Sequence, residues 1–110
     1  GDGSALFTIQ VLWTAARYRI PVTYLILNNG LYLAVKMALL EYGKKSAQRG
    51  VYPASALPHI DFVRLAQGFQ VPGERVSDPQ QLKTALEKAL STQGPYLIEV
   101  VVAAEERYKF

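Results

Sequence analysis

Apolar residues between Ala5 and Tyr18 fall so densely, at Leu6, Phe7, Ile9, Val11, Leu12, Trp13, Ala15 and Ala16, that they cover nearly every direction around a helix. This predicts a first helix buried on all sides. Past the Ile20-Pro21 break, Val22 to Leu27 is β-branched, aromatic and almost continuously apolar, the pattern of a strand buried on both faces of a parallel sheet. Asn28-Asn29-Gly30 stops it. A second helix is predicted over about Leu31 to Tyr42, with Gly43 suited to the left-handed position that ends a helix. Residues 43–58 hold Gly43, Gly50, Pro53 and Pro58 without a period and read as a long loop, a length often tied to function. Asp61 caps a short helix through Phe62, Leu65 and Ala66 that ends near Gly68. Val71 to Val76, interrupted by Pro72 and Gly73, reads at most as a poor edge strand. Asp78-Pro79-Gln80-Gln81 combines a cap acceptor, a proline at the first helical position and Gln81 at the third. It opens an amphipathic helix through Leu82, Ala85, Leu86, Ala89 and Leu90, closed by Gly94-Pro95. Tyr96 to Val102 is a last buried strand. Helical and strand-like segments alternate, which predicts an α/β fold with a mostly parallel, doubly wound sheet.

With 110 residues, 50% of them hydrophobic and 19% charged, the chain has the composition of one globular domain, placed at residues 1–102 with a polar tail over 103–110. The longest nearly apolar runs, Leu31 to Leu40 and Tyr96 to Ala104, fall far short of the roughly 18 residues that span a bilayer, so no membrane partner is expected. Zero cysteines remove disulfides, thiolate metal sites and cysteine nucleophiles. Gly1 to Ser4 lack the basic start of a signal peptide, and a cytoplasmic location is the expectation. The net charge of +3 is local: Lys36, Lys44, Lys45 and Arg49 against Glu41 carry all of it, because the remaining basic and acidic residues cancel. That patch lacks the regular interleaving of aromatic and basic residues that favours stacking on single strands, and reads as a solvated face without a nucleic-acid partner.

Two punctuated sites carry the candidate chemistry: Gly1-Asp2-Gly3-Ser4 opening the first helix, and Asn28-Asn29-Gly30 closing the strand after it. A helix of about 14 residues advances ~21 Å and a six-residue strand returns ~20 Å, so Asp2 and Asn29 are expected to meet at the carboxyl edge of the sheet, where open α/β sheets bind ligands. The residue types suit a magnesium diphosphate. Mg²⁺ takes six oxygen ligands and favours one or two carboxylates completed by phosphate oxygens and water. Asp2 can supply the carboxylate, Asn29 a neutral amide oxygen, and Leu31 a main-chain carbonyl. Glycines at 1 and 3 let the backbone approach a phosphate, and the amides of the turn from Ser4, at the positive end of the helix, suit its oxygens. Alternation along a strand sends the side chains of Asn28 and Asn29 opposite ways, so only Asn29 faces the metal and Asn28 is structural.

Gly1-Asp2-Gly3, 24 further residues and Asn28-Asn29 resemble the cofactor fingerprint of thiamine-diphosphate-dependent enzymes. The wider text at 12–16, 20–21, 28–30, 60–62, 65–68 and 94–100 is similar to the C-terminal, diphosphate-binding domain of benzoylformate decarboxylases, with acetolactate synthases and other 2-keto acid decarboxylases as relatives. The resemblance covers about residues 1–102. It implies that Asp2, the Asn29 side chain and the Leu31 carbonyl bind Mg²⁺, that Gly3 and Ser4 contact thiamine diphosphate, and that the Tyr32 amide contacts its diphosphate. Ala34, Val35 and Ala38 would line the substrate pocket. The sequence departs from the family at Leu31 and Leu33, and at Ala38, where the decarboxylases carry a bulky aromatic, which leaves open a roomier pocket and a different 2-keto acid. The resemblance also places the strand before Gly1, the glutamate that activates the cofactor from a neighbouring subunit, and the catalytic histidines outside this chain. No catalytic residue is therefore expected within it, and the chain alone is expected not to turn over. The full-length family member would decarboxylate a 2-keto acid, releasing an aldehyde or ligating it to a second carbonyl as acetolactate synthases do.

Other readings are weaker. His59 is demanded by neither the metal motif nor the family pattern, and Ser4 lacks the Gly-x-Ser-x-Gly elbow of a hydrolase nucleophile, leaving phosphate contact or capping. Trp13 and Phe7 read as core or interface packing. Generic nucleotide binding lacks both Gly-x-Gly-x-x-Gly and a Walker lysine. The rival of a different class is a non-catalytic, self-associating piece: a helix apolar on every side needs more cover than this short chain supplies, which predicts a homo-oligomer or exposed apolar surface.

Overall fold

The structure, a computed structural model, describes residues 1–42 and 45–104. The Gly43 helix stop, Lys44 of the basic patch and most of the polar tail lie outside the described residues. Three parallel strands form one sheet in the order β1 (Thr23–Asn28), β3 (Tyr96–Val101), β2 (Gly73–Val76). Thr23 pairs with Tyr96 and Asn28 with Val101 on one side of β3, and Gly73 with Leu97 and Val76 with Val100 on the other.

Alternation along β3 divides the core into two layers. On one face Leu97 and Ile26 pack with Leu12, Phe62, Ala66 and Val71 under α2 (Val11–Arg17) and α5 (Phe62–Gly68). On the other, Tyr96, Ile98 and Val100 pack with Val76, Ala85 and Ala89 of α6 (Pro79–Ser91). Helices on both faces of a parallel sheet are the doubly wound arrangement expected from the alternating pattern. Full burial of a side chain such as Phe62 or Leu97 contributes about 2–3 kcal/mol.

The first helical segment differs from its prediction. A single turn, α1 (Asp2–Ala5), and α2 are separated by residues 6–10. There the amides of Phe7, Thr8, Val11, Leu12 and Trp13 bond three residues back, to Ser4, Ala5, Thr8, Ile9 and Gln10. The chain keeps winding but tightens, where β-branched Thr8, Ile9 and Val11 disfavour regular α-helix. Only Leu12 and Ala15 of α2 are buried; Phe7 is 74% and Trp13 57% exposed, so the expectation of burial on all sides fails. β1 fails it too. Ile26 is buried, but Leu25 and Leu27 are 46% and 47% exposed, because α6 covers β3 and β2 and nothing described covers that face of β1. The central strand β3 is the one buried on both faces.

Asp61 and Asp78 cap their helices as predicted, accepting hydrogen bonds from the amides of Arg64 and Gln81, both at 2.9 Å. Gln81 reaches back past the cap, its Oε1 accepting from the amide of Ser77, the residue before Asp78, at 3.0 Å. The second helix, α3 (Leu33–Tyr42), starts two residues later than predicted and has no buried residue. A radius of gyration of 16.2 Å, against about 13 Å for a compact domain of this size, accompanies that exposed arm. The long loop holds a short helix, α4 (Lys45–Gln48), and returns to bridge Ala56 with Leu31. Among the described residues no helix is long and apolar enough to cross a membrane.

Asp78→Ala is expected to lower the unfolding free energy by about 1 kcal/mol in denaturant titration, since it strips the cap from α6. The Tyr96 hydroxyl donates to Glu74 Oε1 at 2.7 Å and holds the Glu74 carboxyl below its ordinary value of 4.5, with Lys88 adding to the effect. A carboxyl depressed by folding stabilises above its unfolded value and loses that contribution as pH falls through the lower folded one. Glu74→Gln should therefore flatten the loss of thermal stability below pH 4.5, the acid limb of a thermal-melt series.

Candidate cofactor site

At the carboxyl edge of the sheet a cavity of about 260 Å³ is lined by Gly1, Asp2, Gly3 and Ser4 from the start of α1 and by Asn29, Leu31, Tyr32, Leu33 and Ala34 after β1. Leu27 and Val102 complete it. Asp2 and Asn29 thus meet as the helix-and-return arithmetic predicts, although the helix is interrupted, because both the tightened and the regular turns carry the chain in one direction.

Asp2 is the site's centre of charge. The residue is only 3% exposed, and its Oδ2 is buried without a hydrogen-bond partner. A buried carboxylate oxygen lacking a donor is costly unless something else neutralises it, and a hard cation does so directly. The other candidate donors are neutral oxygens. Asn29 Oδ1 accepts from its neighbour Leu31 N–H at 3.1 Å, which leaves a second lone pair. Among the described residues no three of His, Cys, Asp and Glu converge, so the donor set here is one carboxylate with amide and carbonyl oxygens, which fits an ion completed by phosphate and water.

The turn after β1 is held from three directions. Asn28 Oδ1 accepts from Gly30 N–H at 2.9 Å, and Gly30 takes φ = +69°, a left-handed conformation that costs glycine little. The returning loop adds two main-chain bonds of 2.8 Å, Tyr32 N–H to the Ser55 carbonyl and Leu57 N–H to the Gly30 carbonyl. The Tyr32 amide, expected to meet a diphosphate, is therefore already engaged. What Tyr32 brings to the cavity is its ring, which stands edge-on to Phe7 at 6.3 Å and lies so close to Gly3 that a Cβ there would fall on it. Ser55, Ala56 and Leu57 were not legible as partners of the site, since main-chain bonding leaves no residue signature. Their setting in a proline-bounded loop was the available signal.

Behind the turn, on the other side of the β1 end, Asn28 Nδ2 donates to Glu99 Oε1 at 2.7 Å, which gives the structural asparagine a definite partner. Arg75 meets Glu99 Oε2 through Nε at 3.1 Å and a terminal nitrogen at 3.0 Å, and reaches Asp61 Oδ1 at 3.3 Å. Glu99 holds the Arg75 guanidinium still more firmly charged, while the Arg64 amide, followed by the arginine charges, lowers the Asp61 carboxyl.

Ala34 lines the Asp2 cavity, whereas Val35 and Ala38, one turn along the exposed α3, lie outside its lining. Ser4 lines it from an exposed position. His59 is exposed, left-handed at φ = +64°, and outside the cavity.

Residues 1–100 match the family described as thiamine pyrophosphate enzyme, C-terminal TPP binding domain, and the chain belongs to that family. It is 37% identical over 102 residues to benzoylformate decarboxylase of Pseudomonas aeruginosa, covering 91% of this chain and 18% of the relative. To acetolactate synthase 1, chloroplastic, of Oryza sativa subsp. japonica it is 32% identical over 116 residues, 96% of this chain and 17% of that one. Among solved structures, the thiamine diphosphate-dependent 4-hydroxybenzoylformate decarboxylase of Rhodococcus jostii superposes with a TM-score of 0.84 at 42% identity, covering 96% of this chain and 19% of that chain. The chain thus spans about a fifth of the length of these proteins.

Gly3→Ala is expected to push the Tyr32 ring aside at a cost of about 1–3 kcal/mol in denaturant unfolding. Combined with Tyr32→Ala, the same substitution should cost clearly less, a coupling that a double-mutant cycle measures directly.

Proposed function

We propose that this chain is the magnesium- and diphosphate-anchoring part of a thiamine-diphosphate-dependent enzyme that decarboxylates a 2-keto acid, as the names of its benzoylformate decarboxylase relatives suggest. The observation that carries the reading is the buried, partnerless Oδ2 of Asp2 in a cavity shared with Asn29 and Leu31. Asp2 would provide the one anionic ligand to Mg²⁺, with the Asn29 side-chain oxygen and the Leu31 carbonyl as neutral ligands. Gly3 and Ser4 would offer first-turn amides, which have no acceptor inside a helix, to phosphate oxygens. With one turn of α-helix at α1, this help is local hydrogen bonding and not the field of a long helix. Leu33 and Ala34 would form the wall a substrate meets next to the metal loop. Bound thiamine diphosphate supplies the nucleophile and electron sink for losing carbon dioxide from a 2-keto acid; this chain holds and orients it. The chain alone would bind without turning over.

Two further readings have their own support. The acetolactate synthase relatives favour ligation of the product to a second carbonyl over its release. The exposed Phe7, Val11 and Trp13 on one stretch of the first helical segment favour self-association, either of the whole enzyme or as this chain's sole role.

Calorimetric titration of thiamine diphosphate, with and without magnesium, tests the reading. Binding should require magnesium and weaken at least about tenfold in Asp2→Ala and in Asn29→Ala. Equal affinity in the folded variants and the unmutated chain, or affinity indifferent to magnesium, would overturn it.

A further inference from the structure

We infer that Glu99 and Asn28 are positioning residues for the cofactor turn, so that a charge network on the far side of the β1 end sets the geometry of Asn29 and Leu31. The inference rests on the reading of that turn as a metal site; it adds Glu99, which lies outside both the Gly-Asp-Gly…Asn-Asn fingerprint and the cavity lining, and gives the first asparagine of the fingerprint, Asn28, a role. Glu99 is 1% exposed, the one charged residue in the buried run of the central strand. Burying a carboxylate there is tolerable only with donors in place, and both of its oxygens are used: Oε1 by Asn28 Nδ2 at 2.7 Å, Oε2 by Arg75.

The same amide group that satisfies Glu99 faces the turn with its other end. Asn28 Oδ1 accepts from Gly30 N–H at 2.9 Å, so the orientation that donates to Glu99 is the one that accepts from Gly30. An amide cannot flip without losing both bonds. Glu99 therefore selects one side-chain orientation at Asn28, that orientation selects the left-handed Gly30, and Gly30 fixes where the Asn29 side chain and the Leu31 main chain leave the strand. Arg75 acts one step further back. It braces Glu99 and ties it to Asp61. Asn28, Glu99 and Arg75 also line a separate cavity of about 400 Å³.

The distinguishing variant is Glu99→Gln. It keeps the shape, but its amide can accept from Asn28 only by turning its NH₂ toward the Arg75 guanidinium, donor against donor. Amide hydrogen exchange of the chain without any ligand should show Gly30 and Leu31 exchanging at least about tenfold faster, while core amides of β3 such as Ile98 keep their protection. Asn28→Ala should do the same and serves if Glu99→Gln does not fold. Arg75→Met, which leaves the Asn28 bond in place, should lower the melting temperature without singling out Gly30 and Leu31. Unchanged exchange at Gly30 and Leu31 in folded Glu99→Gln or Asn28→Ala, or a uniform rise across all amides, would overturn the inference. In parallel, magnesium-dependent affinity for thiamine diphosphate should fall about tenfold in Glu99→Gln, as loss of groups that orient metal ligands does. If the unmutated chain binds no magnesium and thiamine diphosphate, the proposed function fails, and the exchange measurement still decides whether Glu99 sets the turn.

Discussion

Parallel pairing of β1 with the central strand β3 is the constraint on which the rest of the molecule depends. It sets Asn28 opposite Val101 and Ile26 opposite Glu99, and it continues past the strand, where Val102 N–H reaches the Asn28 carbonyl at 3.0 Å. One register step along β1 would move every one of its side chains to the other face. Ile26 would then leave the core, Asn28 would leave Glu99, and the turn that follows would point away from Asp2. The hydrophobic layer and the polar edge therefore enforce the same alignment, the first through area removed from water and the second through a carboxylate that has to find donors.

That second requirement makes Glu99 a demanding residue. Breaking a buried charge pair by removing one partner typically costs about 3–5 kcal/mol, and here the burial is one-sided, with Glu99 1% and the Arg75 side chain 46% exposed. The buried strand around it is otherwise uncharged. The carboxylate, on β3, connects to Asn28 at the end of β1, to Arg75 on β2 and, through Arg75, to the Asp61 that caps α5. Four elements are thus joined at the edge where the cofactor cavity opens, and the hydrogen-bonded turn inherits its rigidity from them.

The contrast with α3 is instructive. Its ten residues, apolar apart from Lys36 and Glu41, bury none completely, and Leu25 and Leu27 of β1 are likewise half-exposed. These surfaces sit on a chain that spans about a fifth of its relatives' length. The part of the cavity made by Leu27, Asn29 and Leu31 belongs to a turn braced by hydrogen bonds to Glu99 and to the loop at Ser55, whereas the wall at Leu33 and Ala34 belongs to the arm. The residues proposed to anchor the cofactor therefore sit on the hydrogen-bonded turn, and those proposed to face substrate on the exposed helix α3.

Local chemistry made much of this readable from the residues. The caps at Asp61 and Asp78, the strand ended by Asn28-Asn29-Gly30 and the meeting of Asp2 with Asn29 follow from short-range hydrogen bonding and from the fixed rise of helix and strand, which act within a few residues or add up along the chain. The α/β alternation followed from apolar periodicity. Periodicity measures how apolar a face is and says nothing of whether anything covers it. Burial on all sides was thus read for the first helical segment and for β1, while the structure covers one face of each. The engagement of the Tyr32 amide by Ser55, the ring that excludes a Cβ at Gly3, and the partnership of Asn28 with a glutamate 71 positions away depend on which strands lie side by side. Main-chain groups are alike at every residue and side-chain reach is a few ångströms, so such contacts exist only once long-range packing has chosen the neighbours. Sequence alone determined the residue types at the two turns and their level on the sheet; tertiary structure decided which of their atoms are already engaged, as the Tyr32 amide is, and which are left without a partner, as Asp2 Oδ2 is.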